Sequence, residues 1–354
     1  MKPTVTLPAE WAPQTAIQLT WPHEGTDWQP MLGEITETYV AMARAIVRHE
    51  RLIIVAPDVE QVRQQLDGQM PMENVCFHQC PTDDTWARDH GFLTLSDGTL
   101  LDFCFNGWGR KFPADNDNAI NRSLYPALPA CLSTTNDALA YENHNDFVLE
   151  GGSIESDGRG TIFTTSACLL APHRNQPLTK QEIDRQLRQR LRADRVIWID
   201  HGHLEGDDTD GHIDTLVRIA PDDTLLYMYT HDKSDEHYGE LLAMEAELQQ
   251  LRTVDGKGYR LLPLPLPRPI YDDDGERLPA TYANYLVLND AVLVPTYGQA
   301  DLDEEAIGII ATAFPEREMV PIDSRAIIRQ HGSIHCCTMQ FPVVFANAQD
   351  EGTQ

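Results

Sequence analysis

The fold is decided by a stretch of thirteen residues, Gly91-Phe92-Leu93-Thr94-Leu95-Ser96-Asp97-Gly98-Thr99-Leu100-Leu101-Asp102-Phe103. Two apolar runs flank the turn residues Ser96-Asp97-Gly98, which is the pattern of a β-hairpin. The same pattern recurs three times farther along the chain, at 153–164, 213–227 and 285–294. The residues that open the second strands are 62, 63 and 67 positions apart: Gly98, Gly160, Asp223 and Asp290. Regular spacing of this kind predicts an internal structural repeat.

Helical patterns, each followed by an apolar strand, separate the hairpins. The helices are predicted at 179–193, 234–251 and 302–314, and the strands that follow them at 195–199, 259–262 and 319–322. The repeat unit is therefore strand–strand–helix–strand, and 354 residues leave room for about five such units. The fifth unit would form when 334–341 pairs with 16–21, which closes a ring and removes free sheet edges. No linker divides the chain, so an α/β fold with residues 1–354 in one catalytic domain is expected.

The chain is strongly acidic, with 55 Asp and Glu against 27 Lys and Arg and a formal net charge of -28. This charge disfavours nucleic acid and anionic membranes as partners and favours small cationic ligands. An equally good explanation is that the acidic surface serves only to keep the protein soluble. No apolar run reaches the roughly 18 residues of a membrane span, and the N-terminus lacks the pattern of a signal peptide. We therefore expect a cytoplasmic protein, and the sequence leaves a homo-oligomer open.

The seven cysteines form an odd number in a long chain, which indicates a reducing compartment and no disulfide framework. Cys76 and Cys80 lie on an alternating apolar run. A metal pair would need two more ligands at matching spacing, so both are predicted to be small buried side chains.

A proline-rich segment, 263–269, is predicted to be extended because each proline biases the residue before it away from helix. The acidic stretch 272–275 that follows is typical of a turn. Together they predict a long loop that lies over the functional site.

One polar residue lies just before or within the first strand of each predicted unit. The five are Asp89, Glu150, His212, Asn284 and Cys336. In a ring of equivalent units these positions converge on the common axis, which would bring residues nearly 250 apart in sequence into one pocket. A cysteine nucleophile, a histidine and several carboxylates specify attack on a guanidinium carbon. Taken singly, each has an ordinary structural alternative, such as an ion pair between Asp89 and Arg88.

Seven motifs, in the order of the chain, carry a family resemblance. They are Pro8-Ala9-Glu10-Trp11, Thr20-Trp21-Pro22, Asp84-Thr85-Trp86-Ala87-Arg88-Asp89-His90-Gly91, Phe105-Asn106-Gly107-Trp108-Gly109, Glu150-Gly151-Gly152, Asp207-Asp208-Thr209-Asp210-Gly211-His212-Ile213-Asp214 and Ile334-His335-Cys336-Cys337-Thr338. With them the chain resembles the family of agmatine deiminases and bacterial peptidylarginine deiminases over most of its length. The resemblance implies the pentein fold, a five-bladed α/β propeller with pseudo-fivefold ββαβ repeats, which agrees with the predicted ring.

The resemblance implies an enzyme that hydrolyses agmatine to N-carbamoylputrescine and ammonia, with no metal and no organic cofactor. Cys336 is the implied nucleophile, which forms a covalent amidino-cysteine, and His212 transfers protons in both half-reactions. The nucleophile must be a thiolate, and both the bound guanidinium and a protonated His212 are expected to stabilise that anion, so that activation is assisted by the substrate. The expected partner is thus a small cationic guanidine. Asp89 and Asp214 are predicted to accept hydrogen bonds from its N–H groups, with Glu150 completing the acidic wall.

Other assignments stay open at this point. Trp86 and Trp108 would stack on a cation or its alkyl chain, or serve as ordinary core residues. Asp208 is predicted to face the distal amine of agmatine. The acidic residues of 207–214 lack a second histidine at ligand spacing, which disfavours a metal site. The alternative functions are a peptidylarginine or arginine deiminase, an amidinotransferase and a catalytically silent guanidine-binding pentein.

The sequence departs from the family pattern beside the nucleophile. Gln330-His331-Gly332-Ser333 stands where the family often has a run of glycines, and Cys337 directly follows Cys336. If 334–341 is a strand, His335 and Cys337 point to the face opposite Cys336, so only one cysteine can face the pocket.

Overall fold

A computed structural model describes residues 5–135 and 138–343 of the chain. The ends of the expected 1–354 domain, 1–4 and 344–354, lie outside the described residues, as do 136–137. No helix in the described part of the chain is long and apolar enough to cross a membrane.

The strands of the described residues form five separate sheets. The first contains β16 (Thr338–Pro342), β1 (Gln14–Thr20), β2 (Arg51–Ala56) and β3 (Val75–Gln79), in that order. The second contains β4 (Leu93–Thr94), β5 (Thr99–Cys104) and β6 (Ala140–Val148), and the third β7 (Ile154–Ser156), β8 (Thr161–Thr165) and β9 (Arg195–Ile199). The fourth contains β10 (Val217–Ala220), β11 (Thr224–Tyr229) and β12 (Arg260–Pro265), and the fifth β13 (Leu286–Val287), β14 (Ala291–Thr296) and β15 (Glu318–Asp323).

Helices connect the strands. The longer ones are α1 (Leu32–Ile46), α2 (Val59–Leu66), α5 (Asp117–Leu124), α8 (Lys180–Arg190), α9 (Tyr238–Leu248) and α10 (Ala300–Ala313). Single turns form α3 (Ala87–His90), α4 (Gly107–Arg110), α6 (Leu128–Cys131) and α7 (Ser166–Leu169). Short 3-10 helices lie at Gln29–Met31, Tyr125–Ala127, Gly151–Ser153, Ile213–Thr215 and Ile327–Gln330.

All five sheets share one topology. Two antiparallel strands are followed, across a helical connection, by a strand that runs parallel to the second. In the fifth sheet, for example, Leu293 pairs with Leu286 across the hairpin and with Val320 of the parallel strand. The predicted strand–strand–helix–strand unit is therefore confirmed in these sheets.

The first sheet joins the two ends of the described chain. β1 pairs antiparallel with β16, with Leu19 opposite Thr338, which confirms the predicted pairing. The predicted strand bounds are wrong, however, because β16 begins at Thr338 and 334–337 form a turn. Backbone N–H groups of Cys337 and Thr338 donate to carbonyls three residues earlier, which a strand cannot do.

The three predicted helices are present as α8, α9 and α10, with shifted ends. Thr179 caps α8, since its side chain accepts from the Glu182 N–H while its own N–H donates to the Glu182 carboxylate. α9 begins at Tyr238 and not at 234, because the carboxylates of Asp232 and Asp235 hold the preceding residues in turns.

Side-chain burial along α1 shows how these units pack. Ile35, Tyr39, Met42 and Ile46 recur at helical spacing and are all buried in the core cluster that contains β1 and β2. Each such side chain contributes roughly 1.5–3 kcal/mol by leaving water. The proline-rich segment is extended as predicted, but 263–265 belong to β12 and not to a loop. β12 is an edge strand, where a missing N–H breaks no ladder hydrogen bond.

Cys76 of β3 and Cys131 of α6 are joined as a disulfide, with their Cα atoms 5.3 Å apart. The prediction of a free, buried Cys76 is therefore wrong. The disulfide could not be predicted from sequence, because Cys131 lies 55 residues after Cys76 and only the packing of α6 beside β3 brings the two cysteines together. Cys80 is a buried free thiol, as predicted.

Candidate active site

The five polar residues at equivalent positions of the repeat units all lie in the segment that leads into the first strand of a sheet. They are Asp89 before β4, Glu150 before β7, His212 before β10, Asn284 before β13 and Cys336 before β16. Each is buried. The predicted convergence is observed, since the Cys336 thiol donates to Asn284 Oδ1 at 3.3 Å and His212 Nδ1 lies 3.6 Å from Asp89 Oδ1.

Gly152 allows these groups to approach one another. A Cβ on this residue would lie 2.7 Å from His212 Nδ1 and 3.0 Å from carboxylate oxygens of both Asp89 and Asp214. Its N–H also donates to Asp89 Oδ1 at 3.0 Å. A side chain at this position would therefore push the histidine and the two carboxylates apart.

The Asp89 carboxylate is oriented by Trp108. The indole Nε1–H of Trp108 donates to Asp89 Oδ2 at 3.0 Å, and both residues are buried. The Trp108 backbone is left-handed, with φ 53°, which is uncommon for a bulky residue and aims the indole at the carboxylate. Burial raises the pKa of Asp89 well above its usual value, and the neighbouring carboxylates Asp214 and Glu150 raise it further.

The Glu150 carboxylate is shared with an arginine that the sequence did not single out. Arg174 Nε donates to Glu150 Oε1 at 2.8 Å, and its Nη1 donates to Asp210 at 2.7 Å. Burial nevertheless raises the pKa of Glu150, against the opposing charge of Arg174. The second oxygen, Oε2, has no hydrogen-bond partner among the described residues.

His212 is fully buried, and neither ring nitrogen has a hydrogen-bond partner within 5–135 and 138–343. Burial lowers the pKa of His212 to about 3, although the carboxylate of Asp214 acts in the opposite direction. The imidazole is thus neutral at neutral pH. The predicted stabilisation of a thiolate by protonated His212 is therefore wrong for this arrangement, and His212 is instead poised to accept a proton.

The Cys336 thiol lies against acidic and amide oxygens. Its Sγ is 3.3 Å from Asn284 Oδ1 and 3.8 Å from Asp214 Oδ2. Burial raises the pKa of Cys336 well above its usual value, and the charges of Asp214 and Asp89 raise it further. The thiol is therefore protonated until a cation enters, which agrees with the expected substrate-assisted activation.

The neighbouring Cys337 does not share this environment. Burial raises the pKa of Cys337 to about 12, and the nearby Tyr39 hydroxyl partly opposes that rise. The two cysteines do diverge, but the turn at 334–337 separates them, so the explanation from alternating strand faces was wrong.

Asp214 has one oxygen held and one free. His335 Nδ1–H donates to Asp214 Oδ2 at 2.7 Å, whereas Oδ1 has no partner in the described part of the chain. Burial alone would raise the pKa of Asp214, but the hydrogen bond and the charge of His335 hold it below its usual value. The group is therefore an ionised acceptor beside the thiol.

A cavity leads from Cys336 to the surface. It is lined by Asp27, Asp84, Trp86, Asp89, Trp108, Phe112, Asp208, Thr209, Gln330, His331 and Gly332. The cavity wall thus contains Trp86 and the half-exposed carboxylate of Asp208, and no Lys or Arg of the described residues belongs to it. No residue of 263–275 lines it either, so the predicted cover by that loop is not observed.

The residues of the altered glycine run shape the same cavity. A Cβ on Gly332 would lie 2.1 Å from the Trp86 ring, so only glycine lets the indole pack on the backbone here. His331 is left-handed, with φ 65°, and its Nδ1 lies 2.6 Å from the Gly206 carbonyl and 3.8 Å from Asp208 Oδ2. Trp86 donates its indole N–H to Asp84 at 3.0 Å.

Two carboxylates of the acidic loop 207–214 hold its backbone in place. Asp207 accepts from the N–H groups of Thr209 and Gly211 within the loop, and Asp210 pairs with Arg174 and Lys111 outside it. These contacts give the loop its shape.

The sequence reasoning missed Arg174 and His335, and named Asn284 without a role. No local pattern marks Arg174, because its partners Glu150 and Asp210 come from other segments. The motif Ile334–Thr338 contained His335, but only its neighbour was given a function.

The sequence pattern that defines the Porphyromonas-type peptidyl-arginine deiminases matches residues 6–342. The chain belongs to this family. An agmatine deiminase from Stutzerimonas stutzeri is 33% identical, over 96% of each chain. Among solved structures, a Porphyromonas gingivalis protein provisionally named an arginine deiminase is 48% identical, with a TM-score of 0.88 and coverage of 96% of this chain and 98% of that one. The C. jejuni agmatine deiminase with substrate bound is 35% identical, with a TM-score of 0.85 and coverage of 95% and 96%.

Membership of the peptidyl-arginine deiminase family agrees with the resemblance that the seven motifs carry. The match spans nearly all described residues and includes every residue of the converging set.

Proposed function

We propose that the protein is an agmatine deiminase, which hydrolyses agmatine to N-carbamoylputrescine and ammonia. One observation carries this proposal: Glu150 Oε2, Asp214 Oδ1 and the imidazole of His212 are buried without hydrogen-bond partners among the described residues. The two carboxylate oxygens are acceptors, and the neutral imidazole adds one acceptor nitrogen. Buried acceptors of this kind are costly unless a ligand supplies donors. A guanidinium group supplies five N–H donors and one positive charge in a plane.

Charge supports the same ligand. Asp89, Glu150 and Asp214 converge within a buried volume, where burial first and then the charges of Asp214 and Glu150 raise the pKa of Asp89. A bound cation would relieve the repulsion between these charges and would lower the pKa of the Cys336 thiol in the same step. A neutral ligand would leave the charges unpaired, which costs several kcal/mol.

The proposed reaction starts with proton transfer from the Cys336 thiol to neutral His212 as the thiolate attacks the guanidinium carbon. A tetrahedral adduct forms, His212 returns the proton to the departing nitrogen, and the C–N bond breaks to release ammonia. The product of this half-reaction is an amidino-cysteine. Water then attacks the same carbon, His212 takes its proton, and the C–S bond breaks to release the ureido product and the thiol.

The cavity wall supports agmatine over arginine. Asp27, Asp84 and Asp208 line the cavity together with Cys336, and no Lys or Arg of the described residues belongs to the lining, although Lys111 Nζ donates to the Asp208 carbonyl at 2.7 Å. Agmatine ends in an ammonium, whereas arginine adds a carboxylate that these groups would repel. The second candidate is an arginine or peptidyl-arginine deiminase. The 48% identity to the P. gingivalis protein supports it, as does His331, the one group in the wall that can carry a positive charge.

The test is ammonia release from agmatine, arginine, methylated arginines and an arginyl peptide, with Cys336→Ser as the blank. Agmatine should give the highest kcat/KM. Preference for arginine or the peptide would overturn the agmatine assignment and keep the deiminase. Product formation only with an added amine acceptor would indicate an amidinotransferase, and no release from any substrate would indicate a binding protein.

We also propose that the five sheets are the blades of a pentein propeller and that residues 1–354 form one catalytic domain. The shared topology of the sheets and the first sheet, which joins both ends of the described chain, support this arrangement. The proposed location is the cytoplasm; the Cys76–Cys131 disulfide departs from the reducing compartment that the odd number of cysteines indicated.

A further inference from the structure

His335 lies between two carboxylates behind the nucleophile. Its Nδ1 is 2.7 Å from Asp214 Oδ2, its Nε2 is 2.9 Å from Glu10 Oε2, and the side chain is 1% exposed. A neutral imidazole has one N–H and could satisfy only one of these contacts. Both contacts are hydrogen bonds only when both ring nitrogens carry hydrogen, so the geometry offers two carboxylate acceptors to two His335 donors.

Glu10 is itself held from the other side. Arg218 donates to Glu10 and, through Nε, to Glu155, and Arg88 Nη2 lies 3.9 Å from Glu10 Oε1. All of these side chains are buried. Arg218 also donates to two backbone carbonyls, Ala283 and Tyr285, which anchors it to the segment before β13. The orientation of Glu10, and hence of His335, is set by contacts outside the substrate cavity.

Asp214 is the end of this chain of contacts. One carboxylate oxygen accepts from His335, so the direction of the other, the unpartnered Oδ1, depends on the His335 ring. We propose that His335, held by Glu10, is a positioning residue that keeps Asp214 ionised and aims its free oxygen at the substrate guanidinium. This inference rests on the proposed function. It gives the residue before the nucleophile a role that is separate from the chemistry at sulfur.

The electrostatics of Asp214 support this geometry. Burial would raise the pKa of Asp214, and the acidic neighbours would favour its protonated form. The hydrogen bond and positive charge of His335 instead hold the pKa below its usual value. A protonated Asp214 would be a weaker hydrogen-bond acceptor for a guanidinium, and its O–H group would face the N–H donors of the ligand.

Two variants separate the contact of His335 with Asp214 from its contact with Glu10. In His335→Asn the amide nitrogen occupies about the place of Nδ1 and can still donate to Asp214, but the reach to Glu10 is lost. In His335→Gln the amide occupies about the place of Nε2 and can meet Glu10, but the donor to Asp214 is lost. Both remove the charge, so they form a matched pair.

We expect kcat/KM for agmatine to fall about tenfold in His335→Asn and about a hundredfold or more in His335→Gln, because only the second leaves Asp214 without its donor. In a Cys336→Ser background, where no turnover occurs, calorimetry should give the same order for the Kd of agmatine. Glu155→Gln is the control for disturbance of the buried charges, since Glu155 accepts hydrogen bonds from Arg218 and the Ile219 N–H and, within the described residues, forms none with His335. Its kcat/KM should stay within about threefold of wild type.

Equal losses in the Asn and Gln variants would overturn the inference, as would values within threefold of wild type for both. If wild-type protein does not deiminate agmatine, the proposed function fails by itself. The Kd of methylguanidine in the Cys336→Ser background then still compares the two His335 variants. If either variant does not fold, Glu10→Gln takes its place, with an expected loss of about tenfold against threefold or less for Glu155→Gln. Equal effects of these two would also reject the inference.

Discussion

Trp108→Phe is expected to shift the acidic limb of the pH profile of kcat/KM to higher pH. The indole N–H donates to the Asp89 carboxylate at 3.0 Å in a buried setting, and phenylalanine has no donor. Because the lost bond favoured the charged form, the pKa of Asp89 must rise from a value that burial already raises. Asp89 would then be protonated, and unable to hold a guanidinium, over a wider range of acidic pH.

The size of the shift follows from the type of bond. A buried hydrogen bond to a charged acceptor contributes about 1.5–3 kcal/mol, and one pH unit corresponds to about 1.36 kcal/mol. The limb should therefore move by about one to two units. Activity on the alkaline plateau reports the loss of indole packing separately, because Asp89 is ionised there in both proteins.

The assay is kcat/KM for agmatine from about pH 5 to 9, with Trp86→Phe as the matched control. Trp86 is similarly buried and donates to a carboxylate at the same distance, but its partner is Asp84, outside the set around Cys336. The acidic limb of the pH profile should move less in Trp86→Phe than in Trp108→Phe. An unmoved limb in Trp108→Phe, or equal shifts in both variants, would refute the assignment of Asp89.

Four further outcomes are expected. Cys336→Ser should abolish turnover with the fold intact, whereas Cys337→Ser should retain most activity; the reverse result in the ammonia assay would exchange the two cysteines. His212→Gln should slow the attack, because His212 takes the thiol proton, and should also slow hydrolysis of the adduct; intact-protein mass spectrometry after long incubation should therefore find agmatine minus ammonia on Cys336, and rapid turnover by an unmodified protein would remove His212 from the mechanism. Asp208→Asn should lower kcat/KM for agmatine only about fivefold, because Asp208 is 44% exposed and a solvated ion pair contributes about 1 kcal/mol. A guanidine without the distal amine should be unaffected, and equal losses would reduce Asp208 to a support of its loop. Glu50 is buried with its pKa raised to about 7 by burial, so wild-type stability should fall as pH rises from 4.5 to 7. Urea unfolding should show that the free energy of unfolding of Glu50→Gln, relative to that of wild type, increases by up to about 3 kcal/mol between pH 4.5 and 7. A constant difference would show that ionisation of Glu50 does not destabilise the folded protein.

The repeat and the position of the proposed nucleophile could be predicted from the sequence because their signals are local. A turn such as Ser96-Asp97-Gly98 between two apolar runs specifies a hairpin within a dozen residues, and its recurrence sets the period. The equivalent positions of the polar residues within the repeat units then predicted which side chains lie together in one pocket. That prediction needed only the equivalence of the units, and the structure brings Asp89, His212 and Cys336 together as expected.

What the sequence could not supply are contacts between segments that have no pattern in common. The His335–Glu10 contact spans 325 residues and the Arg174–Glu150 contact joins a loop to a strand entry, so neither leaves a local signal.

Protonation states depend on the same packing. The composition of the site suggested a charged His212, but the fold buries it completely and lowers its pKa to about 3, while it gives His335 two carboxylates. The sequence by itself thus determined the repeat unit and which polar residues lie at equivalent positions of the units, since spacing and residue type are local properties. The tertiary structure alone decided which histidine is neutral and which carboxylate oxygen is free, since burial and partner choice are properties of the whole packed chain.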